Sequence, residues 1–434
     1  MTQNFGVTAP GQRCSPLTQT GDTALGIVVI YQMYTAAMQL ASRLQNLGTE
    51  TAFAVSLAAA DWAAKGNRVY PFHLGDMNLP TPANVVAAMD RAIADGMTGY
   101  CAAAGIMPLR EALAADVGDR RGLSFEPANV VVQPGGKPVI GKFIQSVMEP
   151  GDEVLYPNPG YPIYESQIEY FGGTAVPYRY IETPTGFALD LEYLEAHITP
   201  RTTALIYNDL QNPLSSESSI DEMQAVADLA IRNDLWVLSD EAYFEMRYAG
   251  QSHSIASLPG MQQRTVILYT FSKKFAMTGW RLGAAIAPIA VAEVITKLNT
   301  NDESCTAHFV QWAGLEGVTG DPSGPVELRD ILRGRRDAAV DATNAIPGMH
   351  TARPDATFYV FVNVTQAMQA KGFDDVSKFA TAALHHTGVS FCTRRHFGRP
   401  QPGEAHQYIR LAYSGISTDD ITEGLGLLRD WVTS

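Results

Sequence analysis

Cysteine is scarce in this sequence. Four cysteines occur among 434 residues, and no two of them form a C-x-x-C pair. Their positions are Cys14, Cys101, Cys305 and Cys392. This spacing excludes a cysteine metal site and indicates a reducing compartment. We therefore expect a cytoplasmic protein without a metal site.

Basic blocks are also absent. The chain has 31 Lys and Arg against 45 Asp and Glu, which gives a net charge of −14. An acidic chain without basic blocks argues against nucleic acid or an anionic membrane as a partner. The apolar stretch at residues 24–41 contains Gln32 and Gln39, so it is too short and too polar for a confident membrane span.

The first part of the chain does not fit a signal peptide either. Arg13 lies well upstream of the apolar stretch, and Asp22 stands at its edge. We interpret residues 1–41 as an N-terminal extension with an extra helix that packs on the body or on a partner. A start site placed too early, with Met33 or Met38 as the true start, is the alternative.

What the chain does have is enough apolar sequence for a large core. Its hydrophobic content is 46%, which fits one big domain with a smaller one. Short apolar runs typical of buried strands alternate with helical patterns. This order predicts an α/β fold in which a mainly parallel sheet has helices on both faces.

One lysine has unusual neighbours. Residues 265–269 are apolar and predict a buried strand that leads directly to Lys273. Gly279, Arg281 and Gly283 follow. A lysine shielded from water and near another cation loses its proton easily and can form a Schiff base with a carbonyl, while an arginine suits a phosphate. The alternative is a surface lysine with a structural arginine.

The segment resembles a known signature. Ser272 and Lys273, with the two glycines and the arginine, are similar to the S-K-x5-G-x-R-x-G motif of class I and II aminotransferases, which are fold-type I enzymes that use pyridoxal 5'-phosphate (PLP). The resemblance implies that Lys273 carries PLP as a Schiff base and that Arg281 holds its phosphate. Thr270 keeps a hydroxyl for a further phosphate contact.

A second motif lies on the predicted strand before the lysine. Residues 236–243 resemble the family's D-E-x-Y/F motif. A carboxylate at the buried end of an apolar strand needs a partner, and a pyridinium nitrogen is a suitable one. The resemblance assigns the ring nitrogen to Asp240 and the ring oxygen to Tyr243, whereas an aspartate that only caps a helix is the alternative.

Residues 208–215 resemble the family's N-P-x-N-P-T-G loop. The resemblance implies that Asn212 donates to the ring hydroxyl of PLP.

A glycine turn and an aromatic turn precede these motifs. The predicted strand 130–133 leads into Gly135 and Gly136 and then a helix, an arrangement that cradles a phosphate. Lys137 either meets the distal carboxylate of a dicarboxylic substrate, as in some bacterial aspartate aminotransferases, or is a solvated lysine. Tyr161 is our choice for the aromatic that stacks on the PLP ring. Tyr164 could serve instead, and core packing is the alternative for both.

The remaining predicted contacts are spread along the chain. The resemblance makes Gly75 a substrate contact and Arg410 the group that grips the α-carboxylate. The hydroxyl of Tyr100 is expected to reach the PLP phosphate of a neighbouring subunit, which requires a homodimer with shared active sites. Of two arginines in the segment 393–398, we expect Arg395 to lie at the surface and leave the role of Arg394 open.

Together these elements predict a PLP-dependent aminotransferase. Lys273 would act as base and acid while an amino group moves between an amino acid, aspartate or another acidic donor, and a 2-oxo acid. The expected parts are the extension, residues 42–80 in a small domain, residues 81–322 as the large PLP-binding domain and residues 323–434 completing the small α/β domain. A PLP lyase or synthase of the same fold is the alternative, and a non-catalytic PLP-binding regulatory protein is a second one.

Overall fold

The computed structural model describes residues 40–48 and 51–434. Residues 1–44 and residues 45–434 are separate units, and the second is compact in itself. The predicted N-terminal extension therefore lies almost wholly outside the described residues. The domain boundaries at 41, 80 and 322 stay predictions.

The strands are short and most of them are buried. In chain order they are β1 Tyr70–Pro71, β2 Val130–Gln133, β3 Glu153–Pro157, β4 Thr174–Tyr178, β5 Tyr180–Thr183, β6 Gly186–Leu189, β7 Thr202–Tyr207, β8 Trp236–Asp240, β9 Thr265–Thr270, β10 Gly283–Ile286, β11 Tyr359–Asn363, β12 Val389–Ser390, β13 Cys392–Thr393 and β14 Tyr408–Ala412.

Helices separate most of these strands. They span Ala52–Ala64, Ala83–Ala94, Met107–Arg121, Lys137–Val147, Ile163–Tyr170, Leu191–Ala196, Ile220–Arg232, Phe271–Lys274, Ile289–Asp302, His308–Thr319, Ser323–Asn344, Thr365–Ala370, Val376–Thr387 and Thr418–Thr433. Short 3₁₀ turns lie at Ser42–Asn46, Pro127–Asn129, Ile255–Ser257, Thr278–Trp280 and Arg394–His396.

The main sheet within residues 51–434 has seven strands in the order β2-β10-β9-β8-β7-β3-β4. Four of its pairings are parallel, and only β10 runs antiparallel to its two neighbours. The predicted α/β class with a mainly parallel sheet is thereby confirmed. Because β2, β3, β7, β8 and β9 all point the same way, their carboxyl ends meet at one edge of the sheet.

Side chains alternate between the two faces of this sheet, as a period of two requires. Leu238 packs in a cluster with residues of helix Lys137–Val147, whereas its neighbour Val237 packs with residues of helix Ile220–Arg232. The central residues of these strands are mainly apolar, such as Val237 and Leu238 of β8 and residues 266–268 of β9, because helices cover both faces.

The described residues also form three smaller sheets. β11, β14 and β13 form an antiparallel sheet, β1 pairs in parallel with β12, and β5 pairs with β6 in a hairpin. These strands lie outside the main sheet, and β11, β12 and β14 share a hydrophobic cluster with helix Thr418–Thr433. The main sheet and these small sheets together carry the cavity described below.

Most of the helices and strands that the sequence predicts are confirmed, and the exceptions are short strands. The sequence pattern at 69–74 predicts a short strand, and the structure reduces it to Tyr70–Pro71, since Pro71 has no N–H to extend the ladder. The pattern at 389–392 predicts one strand, and the structure has two short strands that belong to different sheets. The sequence also predicts a capping box of Ser219 and Glu222, which is present at helix Ile220–Arg232.

Among the described residues no helix is long and apolar enough to cross a membrane. In the same part of the chain, no group of three His, Cys, Asp or Glu side chains is arranged to hold a metal ion.

Candidate active site

A cavity of about 540 Å³ opens at the edge where the parallel strands end. Most residues that the sequence singled out line it together. They are Gly75, Gly136, Lys137, Tyr161, Asn212, Asp240, Tyr243, Thr270, Ser272, Lys273, Arg281 and Arg410. Two predicted site residues, Gly135 and Tyr100, do not line it.

Lys273 lies in the helix Phe271–Lys274 that follows β9. Its Nζ donates a hydrogen bond of 3.0 Å to the carbonyl oxygen of Gly75. The Nζ is 5.2 Å from the ring centroid of Phe358 and 5.9 Å from that of Tyr243. Gly75 can approach this closely because it has no side chain, since a Cβ there would overlap the hydroxyl of Tyr359.

One end of the cavity has the composition of an anion site. Gly136 stands before helix Lys137–Val147, whose positive N-terminal end favours an anion. Thr270 accepts a hydrogen bond of 3.2 Å from the backbone N–H of Ser272 and donates one of 2.9 Å to its hydroxyl. Gly135 has φ +104°, and a Cβ on it would overlap the guanidinium of Arg281. Gly135 therefore contributes by leaving room for Arg281.

Asp240 ends β8 and is 6% exposed. Burial raises the pKa of its carboxyl group, while hydrogen bonds from Tyr164 and from the backbone of Ala242 act in the opposite direction. The hydroxyl of Tyr164 donates to Oδ2 of Asp240 at 2.6 Å, and the backbone N–H of Ala242 donates to Oδ1 at 3.2 Å. A buried carboxylate whose hydrogen-bond donors are neutral, with the charges of Glu241 and Lys273 acting on it in opposite directions, favours a cationic partner in the cavity.

The two tyrosines that the sequence left as alternatives lie in different places. Tyr164 is fully buried, and its hydroxyl is bound to Asp240. Tyr161 is half-buried on the cavity wall, with its ring at 86° to that of Tyr164. The Nζ of Lys137 lies 5.6 Å from the centroid of the Tyr161 ring. This geometry leaves a face of Tyr161, rather than Tyr164, for stacking.

Arg410 lies on β14 and is held between two aromatic rings. Its guanidinium carbon is 4.5 Å from the ring centroid of Tyr359 and 4.7 Å from that of Phe397. It donates to Oδ1 of Asn212 at 3.0 Å and to the carbonyl oxygen of His73 at 2.7 Å. Further N–H donors of the guanidinium are left to receive a carboxylate.

Tyr243 and Tyr100 differ in what surrounds them. The hydroxyl of Tyr243 is 2.7 Å from that of Tyr359, and burial raises its pKa well above the usual value. Tyr243 therefore stays protonated and can act as a donor. Tyr100 is 88% exposed and does not reach the cavity of its own chain.

The two arginines of the segment 393–398 have different surroundings. Arg394 is buried, pairs with Glu404 at 2.6 Å and donates to Oδ1 of Asn158 at 2.6 Å. It thereby holds the turn that carries Tyr161. Arg395 is exposed, as expected, and pairs with Asp375 at 2.8 Å.

Sequence reasoning missed several cavity residues. Phe53, Tyr359, His396 and Phe397 also line the cavity. The sequence pattern at 358–362 predicts only a strand for Tyr359, and His396 lies in the segment 393–398, in which the sequence draws attention to the arginines. Their contributions depend on tertiary packing, so no local pattern identified them.

Comparisons with known proteins agree with this geometry. The sequence profile of "Aminotransferase class I and II" matches residues 69–428. The chain is a class I and II aminotransferase. Members of this family use PLP.

The aminotransferase is similar to known relatives over nearly its whole length. A probable aspartate/prephenate aminotransferase of Aquifex aeolicus is 31% identical, covering 89% of this chain and 96% of the relative. An aspartate aminotransferase of Geobacillus stearothermophilus is 31% identical, covering 87% and 95%. A double mutant of Thermus thermophilus aspartate aminotransferase has a TM-score of 0.83 at 29% identity, covering 91% and 99%. The predicted transaminase is confirmed, and the lyase alternative is not supported.

Proposed function

We propose that this aminotransferase holds PLP in the cavity and takes its amino group from an acidic amino acid. PLP supplies an electron sink when bound. Its phosphate would lie at Gly135, Gly136, Thr270, Ser272 and Arg281.

The ring of PLP would lie deeper in the cavity. Asp240 would face the ring nitrogen, Asn212 and Tyr243 would donate to the ring oxygen, and Tyr161 would stack on the ring. Lys273 would hold the reactive carbon.

The residues present fit this cofactor. A buried carboxylate such as Asp240 is stabilised by a cationic ring nitrogen. The glycine turn is open because a side chain at Gly135 would displace Arg281. The anion end and the buried carboxylate lie in one cavity, which is the arrangement that a phosphorylated pyridine requires.

Lys273 is the residue that would move the proton. Its Nζ donates to the carbonyl oxygen of Gly75, and the ring centroids of Phe358 and Tyr243 lie 5.2 Å and 5.9 Å from it. We assign it the removal of the Cα proton of the substrate and the return of a proton. Arg410 would orient the substrate by its α-carboxylate, with Gly75 as a further contact.

An acidic donor is supported by two observations. Lys137 lines the cavity beside Tyr161, where its charge would meet a distal carboxylate. The two relatives and the solved structure described above carry aspartate in their names. The amino acceptor would be a 2-oxo acid.

We also propose that the enzyme is a homodimer. Tyr100 is a large exposed aromatic that does not reach the cavity of its own chain, so it would serve the phosphate site of a partner.

We further propose that the protein is located in the cytoplasm, because its low cysteine content is consistent with a reducing compartment.

The observation that carries the proposal is the single cavity that brings Lys273, Asp240, Arg281 and Arg410 together. The test is the visible spectrum of the purified protein with PLP, before and after addition of aspartate without an acceptor. Loss of the yellow form with growth of a pyridoxamine band is expected. A protein that does not take up PLP contradicts the proposal, whereas a response to another amino acid but not to aspartate removes only the acidic donor.

A further inference from the structure

A histidine stands on the cavity wall beside the arginine to which we assign the substrate carboxylate. His396 is half-buried, lines the cavity and ends the short turn Arg394–His396. The next residue, Phe397, lies against the guanidinium of Arg410. A substrate bound to Arg410 would therefore lie within the neighbourhood of His396.

The hydrogen bonds of His396 assign its tautomer. Nδ1 accepts from the backbone N–H of Thr393 at 3.0 Å, within a capping box, and lies 3.0 Å from the hydroxyl of Thr393. The same nitrogen is 3.1 Å from the carbonyl oxygen of Thr393, a contact that needs a proton on Nδ1. Because the N–H already points at Nδ1, the neutral ring carries its proton on Nε2.

The ring is neutral at pH 7. Burial lowers the pKa of His396, a hydrogen bond that only the protonated ring could donate to the carbonyl of Thr393 opposes this, and the positive charge of Arg410 lowers the pKa further. His396 is therefore a hydrogen-bond donor without a charge.

Nε2 is the part of the ring that is available to a ligand. It makes no hydrogen bond to any residue in the described ranges 40–48 and 51–434, and it is not among the fully buried polar atoms. Since Nδ1 faces its own turn, the opposite edge of the ring is the one that faces the cavity.

We propose that His396 is a specificity-determining residue whose Nε2–H donates to an oxygen on the side chain of the amino acid substrate. A neutral donor serves a carboxylate and an amide oxygen alike. The enzyme would thus favour donors with either group over aliphatic ones, because an aliphatic side chain leaves the N–H unpaired. The inference rests on the proposed function for the place of the substrate carboxylate on Arg410.

Two substitutions separate the two ring nitrogens. His396→Asn keeps an acceptor where Nδ1 caps the turn but lacks the distal donor. His396→Gln places an amide N–H near the position of Nε2. The measurement is kcat/KM of the PLP-loaded enzyme with aspartate, asparagine and alanine as donors.

We expect His396→Asn to lose roughly 10- to 100-fold with aspartate and asparagine, and to change less than about threefold with alanine. His396→Gln should recover a large part of the loss with the two oxygen-bearing donors. An equal loss with all three donors, or no loss with any, overturns the inference.

A binding measurement keeps the test independent of turnover. Fluorescence titration with succinate, which has two carboxylates, and with butyrate, which has one, should show weaker succinate binding in His396→Asn and unchanged butyrate binding. Equal weakening of both contradicts the inference. If the wild type does not take up PLP, the proposed function fails, while the titration still decides the role of His396.

Discussion

The two ends of the cavity are built in different ways. At one end, Asn212, Asp240, Thr270 and Lys273 follow or end adjacent parallel strands of one sheet. At the other end, Arg410 comes from β14 and lies between Tyr359 of β11 and Phe397 of the turn after β13.

The difference shows how each end depends on the rest of the protein. Parallel strands bring their carboxyl ends to one edge by topology alone, so a short motif after each strand is enough to place a side chain. The other end depends on how separate segments pack, and Gly75 and Lys273 join the two ends through one hydrogen bond. Substitutions at the first end should therefore affect the chemistry, and those at the second should affect the choice of substrate.

The largest effect is expected from Lys273→Ala. Loss of the amine removes the acid–base group and should lower kcat by at least roughly 10³-fold. Lys274→Ala is the matched control, since Lys274 points towards Glu245 at 3.9 Å and does not line the cavity. The half-reaction with aspartate in stopped flow is the measurement, and more than a few per cent of wild-type rate in Lys273→Ala contradicts the assignment.

Asp240→Asn should change activity and stability in opposite directions. Without a negative charge opposite the ring nitrogen, kcat should fall roughly 10²- to 10³-fold. Without a buried carboxylate, the protein free of PLP should be as stable as the wild type or more stable. Urea unfolding of the PLP-free protein, together with kcat, tests both. A large loss of stability without loss of kcat would show that Asp240 only supports the fold.

Arg410→Lys tests the substrate end. An ammonium group cannot bind a carboxylate with two parallel N–H donors, so kcat/KM should fall roughly 10²-fold, mainly through KM. PLP affinity should stay near the wild-type value. Arg395→Ala removes an exposed arginine from the neighbouring turn and should change neither quantity. A fall in PLP affinity that matches the fall in kcat/KM would argue against a substrate role.

A smaller effect is expected from Tyr164→Phe. The Tyr164 hydroxyl lowers the pKa of Asp240, so its removal should raise that pKa further. The acidic limb of the pH profile of kcat should then move to higher pH, and kcat should fall roughly 5- to 30-fold. Tyr178→Phe is the control, because it removes another buried hydroxyl, bound to the carbonyl of Ile206, away from the cavity. An unshifted profile in Tyr164→Phe would remove the link to Asp240.

The smallest effect concerns stability at low pH. Burial and the charge of Arg410 lower the pKa of His73 from 6.5 to about 4. Between these values the unfolded chain binds a proton at this histidine that the folded chain does not. Stability is therefore lost as the pH falls, by about 2 kcal/mol from this group at pH 5.

Urea unfolding at pH 7 and pH 5 measures this loss. His73→Asn should show a smaller pH dependence than the wild type, and His350→Gln, at an exposed histidine, should show the same dependence as the wild type. Equal pH dependence in all three proteins would contradict a neutral buried His73.

The sequence predicted the strands of the main sheet well. Runs such as 236–238 and 266–269 are continuous apolar stretches because helices cover both faces of the sheet. It failed where strands are short. The stretch 389–392 was one strand by its pattern, yet it divides between two sheets, and no local signal marks that division.

The residues at the end of the cavity that contains Asn212, Asp240, Thr270 and Lys273 could also be predicted from the sequence, because each belongs to a motif that ends or follows a predicted strand. At the other end, only Arg410 could be predicted. His396 was overlooked since its importance comes from the capping bond that fixes its ring and from Arg410 nearby.

The sequence by itself determined the family signature, the parallel sheet and the identity of the lysine, because these depend on local periodicity and on spacing along the chain. Only the tertiary structure decided that the hydroxyl of Tyr164 donates to Asp240, that the buried Arg394 donates to Asn158 in the turn that carries Tyr161, and that the carbonyl of Gly75 accepts from Lys273. These contacts join residues more than 70 positions apart, and the packing of the small sheets and the helices brings them together.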